Sequence, residues 1–196
     1  DSGESWKYSG LSGDRISCVK YYNNRIYVGT ISDQAMFKGE LVKAQIKYKL
    51  GELQDFPRNK PGRLYMSEDG GKHWQVLFEG NDIALYELVI AGNGDIVLFA
   101  SQQGVYRSCD GGRTFAKIED LPQESKYRTL VQSVQNPDVF YAAEEFPTKY
   151  PVTIYKSDDR GDSWYPLSPD CNPENIFEFP EEWHGRNPGK IGSAIS

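Results

Sequence analysis

An eight-residue frame that recurs along the chain restricts its fold more than any other feature. It reads Ser67-Glu68-Asp69-Gly70-Gly71-Lys72-His73-Trp74, and returns as Ser108-Cys109-Asp110-Gly111-Gly112-Arg113-Thr114-Phe115. The third copy is Ser157-Asp158-Asp159-Arg160-Gly161-Asp162-Ser163-Trp164. A partial copy opens the chain as Asp1-Ser2-Gly3-Glu4-Ser5-Trp6. From Asp to Asp the steps are 68, 41 and 49 residues. Repeats with a period of roughly 20–50 residues indicate a solenoid, a propeller or an array.

The shared pattern is Ser-x-Asp-x-Gly-x-x-aromatic, and each position has a physical role. Short polar side chains accept hydrogen bonds from nearby backbone N–H groups and close a tight loop. Gly takes a positive φ without a Cβ clash. The aromatic residue opens the next strand and plugs the loop onto the core. Tyr65, Tyr106 and Tyr155 stand two places before the three complete frames, so the local reading is strand, fixed turn, strand. The frame resembles the Asp-box, or BNR repeat, of sialidases, sortilin-type receptors, xyloglucan-cleaving enzymes and photosystem-assembly factors.

Paired apolar runs precede each frame. Ile16–Tyr21 and Ile26–Thr30 flank Asn23-Asn24, a hairpin signal. Leu85–Ile90 and Ile96–Ala100 flank Gly92-Asn93-Gly94. Thr129–Val134 and Val139–Ala143 flank Asn136-Pro137-Asp138. With the strands on either side of a box, each unit has four strands, the content of one propeller blade. The expected architecture is therefore all-β, a partial β-propeller of four-stranded antiparallel blades over 15–79, 84–119 and 127–168. Trp6-Lys7-Tyr8 reads as the outer strand of a preceding blade (1–9), and 169–196 as the lead into a further one. In that tail Asn175–Phe179 has the look of an inner strand, and Ser193-Ala194-Ile195-Ser196 of the strand and Ser that precede a box. Closed propellers use four to eight blades, so other chains or further segments are expected to complete this one, and the isolated chain is not expected to be a stable monomer.

Segment 31–62 interrupts the repeat. Lys43–Leu50 alternates polar and apolar residues, which favours a β excursion, although Phe37, Leu41, Ala44 and Tyr48 also fall at helical spacing. Residues 33–63 hold 7 basic and 4 acidic side chains in a chain whose net charge is −6, so this stretch carries the opposite sign to the whole. The acidic balance argues against broad nucleic-acid affinity. No apolar run is long enough for a membrane span. Cys18, Cys109 and Cys171 have no metal-ligand spacing, and neither a metal nor a cofactor is expected.

The resemblance implies that the box residues are structural: Asp1, Gly3 and Trp6; Ser67, Asp69, Gly71 and Trp74; Ser108, Asp110, Gly112 and Phe115; Ser157, Asp159, Gly161 and Trp164. It also implies that boxes lie on the rim opposite the ligand face, and that the protein is extracellular or secreted. Strand order then places the second-to-third loops, 31–62 and 144–151, on the ligand rim. Their residues Lys43, Lys47, Tyr48, Lys49, Phe146, Lys149 and Tyr150 are the expected contacts for a glycan or protein partner, by charge steering and aromatic stacking. As catalytic carboxylates of a glycoside hydrolase, Glu144, Glu145, Asp82 and Asp120 come into view. Adjacent Glu144 and Glu145 point to opposite sides of an extended chain and cannot form an acid/base pair with each other. By the resemblance, a sialidase needs an arginine cluster for the substrate carboxylate and a Tyr–Glu nucleophile pair, and its propeller opens with an Arg-Ile-Pro motif. The motif is absent, and Arg15, Arg107 and Arg128 match no such pattern. The reading is a recognition or structural scaffold, with a glycoside hydrolase and an assembly subunit as its alternatives.

Overall fold

The computed structural model describes residues 4–36, 49–51, 60–145 and 154–167. They form three four-stranded antiparallel sheets. The first contains β1 (Arg15–Tyr22), β2 (Arg25–Ile31), β3 (Gly62–Ser67) and β4 (Gln75–Gly80). The second contains β5 (Leu85–Ala91), β6 (Ile96–Ser101), β7 (Gly104–Ser108) and β8 (Ala116–Lys117). The third contains β9 (Lys126–Gln132), β10 (Phe140–Glu145), β11 (Ile154–Ser157) and β12 (Tyr165–Pro166). In each sheet spatial order follows chain order. The chain is a partial β-propeller, and the sheets are its blades.

Local sequence explains the hairpins. Asn23 and Asn24 take φ of 49° and 60°, which lets a two-residue turn match the twist of the flanking strands. Each outer strand starts one residue past its box aromatic. The third inner strand begins and ends earlier than the apolar pattern suggests, at Lys126 and Gln132. A bulge between Ala143 and Glu144 carries the ladder on to Tyr127 and Lys126. At the other end Val134 is 94% exposed, and Pro137 has no N–H to add to a ladder.

The middle blade shows why alternation gives way to solid apolar runs. Leu88, Ile90, Val97 and Phe99 point into one core with Tyr27, Leu64 and Met66 of the first blade. The intervening Val89, Ala91, Ile96 and Leu98 point into a second core with Leu130, Phe140, Ala142 and Tyr155 of the third. Every residue of β6 is buried as a result. Side chains that alternate between two buried faces make a strand apolar throughout.

Two expectations look different in the structure. Trp6–Tyr8 form no strand ladder among the described residues; the next residue, Ser9, is tied to the first blade's box. Ser9 Oγ donates to Gly71 O at 3.0 Å, and Trp74 Nε1 donates to Ser9 O at 2.8 Å. The excursion after β2 opens with a short helix, α1 (Asp33–Met36). Residues 43–48 of its expected strand lie outside the described residues, as do Asp1, Gly3 and the tail from 168.

Candidate functional site

Strand order separates two rims. On one, each box meets the turn between the first two strands of its own blade. Gly111 N donates to Asp95 O at 2.9 Å, Arg160 N to Asp138 O at 2.9 Å, and Arg25 pairs with Glu68 at 2.8 Å. On the other, blade-to-blade linkers meet the second-to-third connections. Ser32 N donates to Ile83 O at 2.8 Å, and Gln102 Nε2 donates to Asp82 O at 3.0 Å.

The boxes repeat one hydrogen-bond pattern. The buried Ser108 Oγ accepts from Gly112 N at 2.8 Å and donates to Asp110 Oδ1 at 2.7 Å. Asp110 Oδ1 then accepts from the N–H groups of Arg113 and Thr114, at 3.0 and 2.9 Å. Ser67 with Asp69, and Ser157 with Asp159, do the same. The seventh residue closes the loop as well. Thr114 Oγ1 donates to Asp110 Oδ2 at 2.6 Å, and Ser163 Oγ to Asp159 Oδ2 at 2.5 Å; His73 Nδ1 contacts Asp69 Oδ2 at 2.5 Å. These bonds favour the carboxylate form. They hold Asp69 and Asp110 well below the usual carboxylate range, led by His73 in the first and Thr114 in the second. Burial pushes Asp159 up, but bonds from Ser163, Ser157 and Asp162 outweigh it and bring the group down to about 2. Every box carboxylate oxygen is thus occupied by its own loop.

The four candidate carboxylates do not converge. Glu144 is buried and accepts from Ser125 Oγ at 2.5 Å. Glu145 pairs with Arg128 at 2.6 Å. Asp120 accepts from the backbone N–H of Trp164 at 3.0 Å, beside the third box. Asp82 Oδ1 is buried without a hydrogen bond among the described residues. A shallow groove of about 580 Å³ runs between β8 and the third box. Asp120 lines it, but Arg107 there is tied to Arg160 O at 3.0 Å and to Asp162 at 2.8 Å.

Of the expected ligand contacts, Lys49 is exposed, and Lys43, Lys47, Tyr48, Phe146, Lys149 and Tyr150 lie outside the described residues. The base of the 31–62 excursion is clasped shut. Asp33 N donates to Lys60 O at 2.9 Å, Lys60 N donates to Asp33 Oδ2 at 3.0 Å, and Arg15 pairs with Asp33. Whatever the excursion presents, it presents from a fixed point on the rim.

A cluster that the apolar pattern misses joins the second and third blades. Arg128 lies over the Tyr86 ring, 4.4 Å from its centre, while its Nε holds Glu145. Burial, then the Glu145 charge, raises the Tyr86 hydroxyl above the usual phenol range, and Arg128 opposes them. Behind this group Tyr127 is fully buried next to Ser125. Its hydroxyl is pushed up by burial first, then by Glu144 and Tyr155. By strand order these residues lie at the rim away from the boxes. The signal was present in Lys126-Tyr127-Arg128, but an inner strand taken to start at Thr129 leaves it in a linker. Among the cysteines, Cys18 and Cys109 are free thiols, and burial lifts Cys18 to about 11. No helix among the described residues is long and apolar enough to cross a membrane.

No protein-family model matches the chain, and no curated protein matches its sequence. Solved structures do share its fold. An ancestral GH74 enzyme superposes with a TM-score of 0.54 at 14% identity, over 79% of this chain and 18% of that one. The GH74 enzyme of Niastella koreensis gives 0.50 at 16% identity, over 79% and 23%. YCF48 bound to D1 peptide gives 0.46 at 14%, over 82% and 41%. The chain spans about a fifth of the length of those GH74 enzymes. What it shares with them is the β-propeller fold.

Proposed function

We propose that this chain is a non-catalytic recognition scaffold that binds a glycan or protein partner on the rim opposite the boxes. The supporting observation is the separation of the carboxylates. A glycosidase needs two carboxyl groups facing each other across a sugar, about 5–9.5 Å apart. Here Glu144, Glu145 and Asp120 each serve a different local partner. The rim offers recognition chemistry in their place: the Arg128–Tyr86 stack and the clasped base of a basic excursion. A guanidinium held over a ring is suited to stacking and to directed hydrogen bonds.

The test is a Lys43, Lys47 and Lys49 to Gln triple variant, beside Arg128→Gln, assayed against anionic glycans and an acidic protein at two salt concentrations. Weaker binding and a shallower salt dependence are expected. Unchanged affinity and unchanged salt dependence in both variants reject the rim. The GH74 likeness of the fold favours a second reading, a glycoside hydrolase whose carboxylates lie outside the described residues. Release of reducing ends from a plant polysaccharide by the purified chain would establish it.

A further inference from the structure

We propose that the groove between β8 and the third box is a docking site for a lysine or arginine side chain on an extended basic segment of a partner protein. The site is separate from the rim proposed above and does not rest on that reading.

The groove exists because one residue is missing from a repeat. In the first blade β3 and β4 pair with a bulge: Leu64 faces Phe78 and Tyr65 faces Val76, so Leu77 is an extra residue. A bulge re-aims a side chain out of the ladder. Leu77 turns onto the second box, where a Cβ on Gly112 would stand 2.7 Å from its Cδ1. An alkyl group thus fills the space between the first blade's outer strand and the next box. In the second blade the ladder runs on without the extra residue. Tyr106 faces Lys117, and Ile118 N donates to Val105 O at 2.9 Å. Ile118 accordingly takes the place of Phe78, and no residue takes that of Leu77. A Cβ on Gly161, the counterpart of Gly112, would first meet Leu98, Phe140 and Trp164, none of them from β8. The space left open is the groove of about 580 Å³, a volume within the ordinary range of ligand sites.

The walls say what fits there. Phe115, Ala116 and Ile118 offer apolar surface to an alkyl stem, the part that Leu77 supplies one blade earlier. Around them stand four acidic side chains, Asp110, Glu119, Asp120 and Asp162, against two basic ones, Arg107 and Lys117. Both cations are already engaged. Arg107 holds Arg160 O and Asp162, and Lys117 Nζ donates to Gln123 O at 3.2 Å. Asp110 is closed within its own loop. Glu119 and Asp120 are exposed, and the N–H of Trp164, donating to Asp120 Oδ2 at 3.0 Å, fixes that carboxylate beside the groove. An apolar floor with negative charge at its margin matches a long cationic side chain, whose stem packs while its head stays in water. The groove is shallow, so the side chain has to be held by the backbone that carries it. A net charge of −6 on the whole chain draws a basic segment in.

The test uses the full chain and a labelled peptide of alternating lysine and serine, followed by fluorescence anisotropy at two salt concentrations. Saturable binding that salt weakens is expected. Ala116→Leu returns an alkyl group to the groove without touching a charge. The double variant Glu119→Gln with Asp120→Asn removes charge without filling the groove. Each should weaken binding about tenfold, while Glu68→Gln on the first box should leave it unchanged. All of these positions are exposed, and an unchanged melting temperature reports an intact fold. No saturable binding to the unaltered chain overturns the proposal. Binding that Ala116→Leu leaves intact, or that Glu68→Gln weakens as much as the double variant does, marks diffuse attraction and overturns it too. Displacement of the peptide by an equal concentration of lysine amide gives the groove to a small amine and overturns the partner segment.

Discussion

In each box the Ser hydroxyl is the buried element and the Asp lies near the surface. Ser108 is 1% exposed and serves Gly112 N–H and Asp110 together. Ser108→Ala removes the acceptor from a buried N–H, and a stability loss of about 1–3 kcal/mol is expected, measured by urea unfolding. The box carboxylates should make stability depend on acid. Their folded pKa values lie below the ordinary Asp value of about 3.9, so the stabilisation is complete above that pH and is lost as pH falls toward the folded values. For Asp159 the window runs from about 4 down to about 2. Unfolding free energies across that range should fall for the native chain and fall less steeply for Asp159→Asn. Equal slopes would deny the box bonds their role. The Ser, Asp and Gly roles could be read from residue type alone. The seventh position could not, because His73, Thr114 and Ser163 look unrelated until each is seen against the same carboxylate.

At the scale of elements, the hairpins follow from turn residues and apolar runs, and the errors fall where pairing overrides them. The third inner strand shifted because cross-strand partners beyond a bulge extended it. The second blade's strands are long in apolar residues because two cores compete for them. Phe99 is fully buried and stacks on Tyr106 with ring centres 4.9 Å apart. Phe99→Ala should lower stability by about 3–5 kcal/mol. Gly112 joins two blades. Its φ is +88°, and a Cβ there would stand 2.7 Å from Leu77 Cδ1. Gly112→Ala is therefore expected to lower the melting temperature, and pairing it with Leu77→Ala to restore only part, since the backbone strain stays. Full recovery in the double variant would place the whole effect in packing.

At the scale of the molecule, and among the described residues, the middle blade is buried on both faces, while the first keeps an exposed face at Val19 and Tyr21 and the third is exposed at Ile154 and Tyr165. Tyr21 lies on such a face and packs into neither core. Tyr21→Glu should change the stability of the separate chain by no more than about 0.5 kcal/mol, while weakening any assembly that light scattering detects. A large stability loss in the separate chain would mean that the face is already covered. The same scale decides the carboxylates. Glu144 and Glu145 are neighbours in sequence, yet one turns into the core toward Ser125 and the other out toward Arg128.

The sequence by itself determined the repeat, the four strands of each unit and the loop chemistry of the boxes. Those depend on contacts a few residues apart and on the periodicity of side chains along a strand. Only the tertiary structure decided that Arg128 meets Tyr86 and that Asp120 serves Trp164 rather than a rim. Each is a meeting of segments from different blades, set by how sheets stack. Local patterns in one strand carry no record of which face of another strand lies opposite.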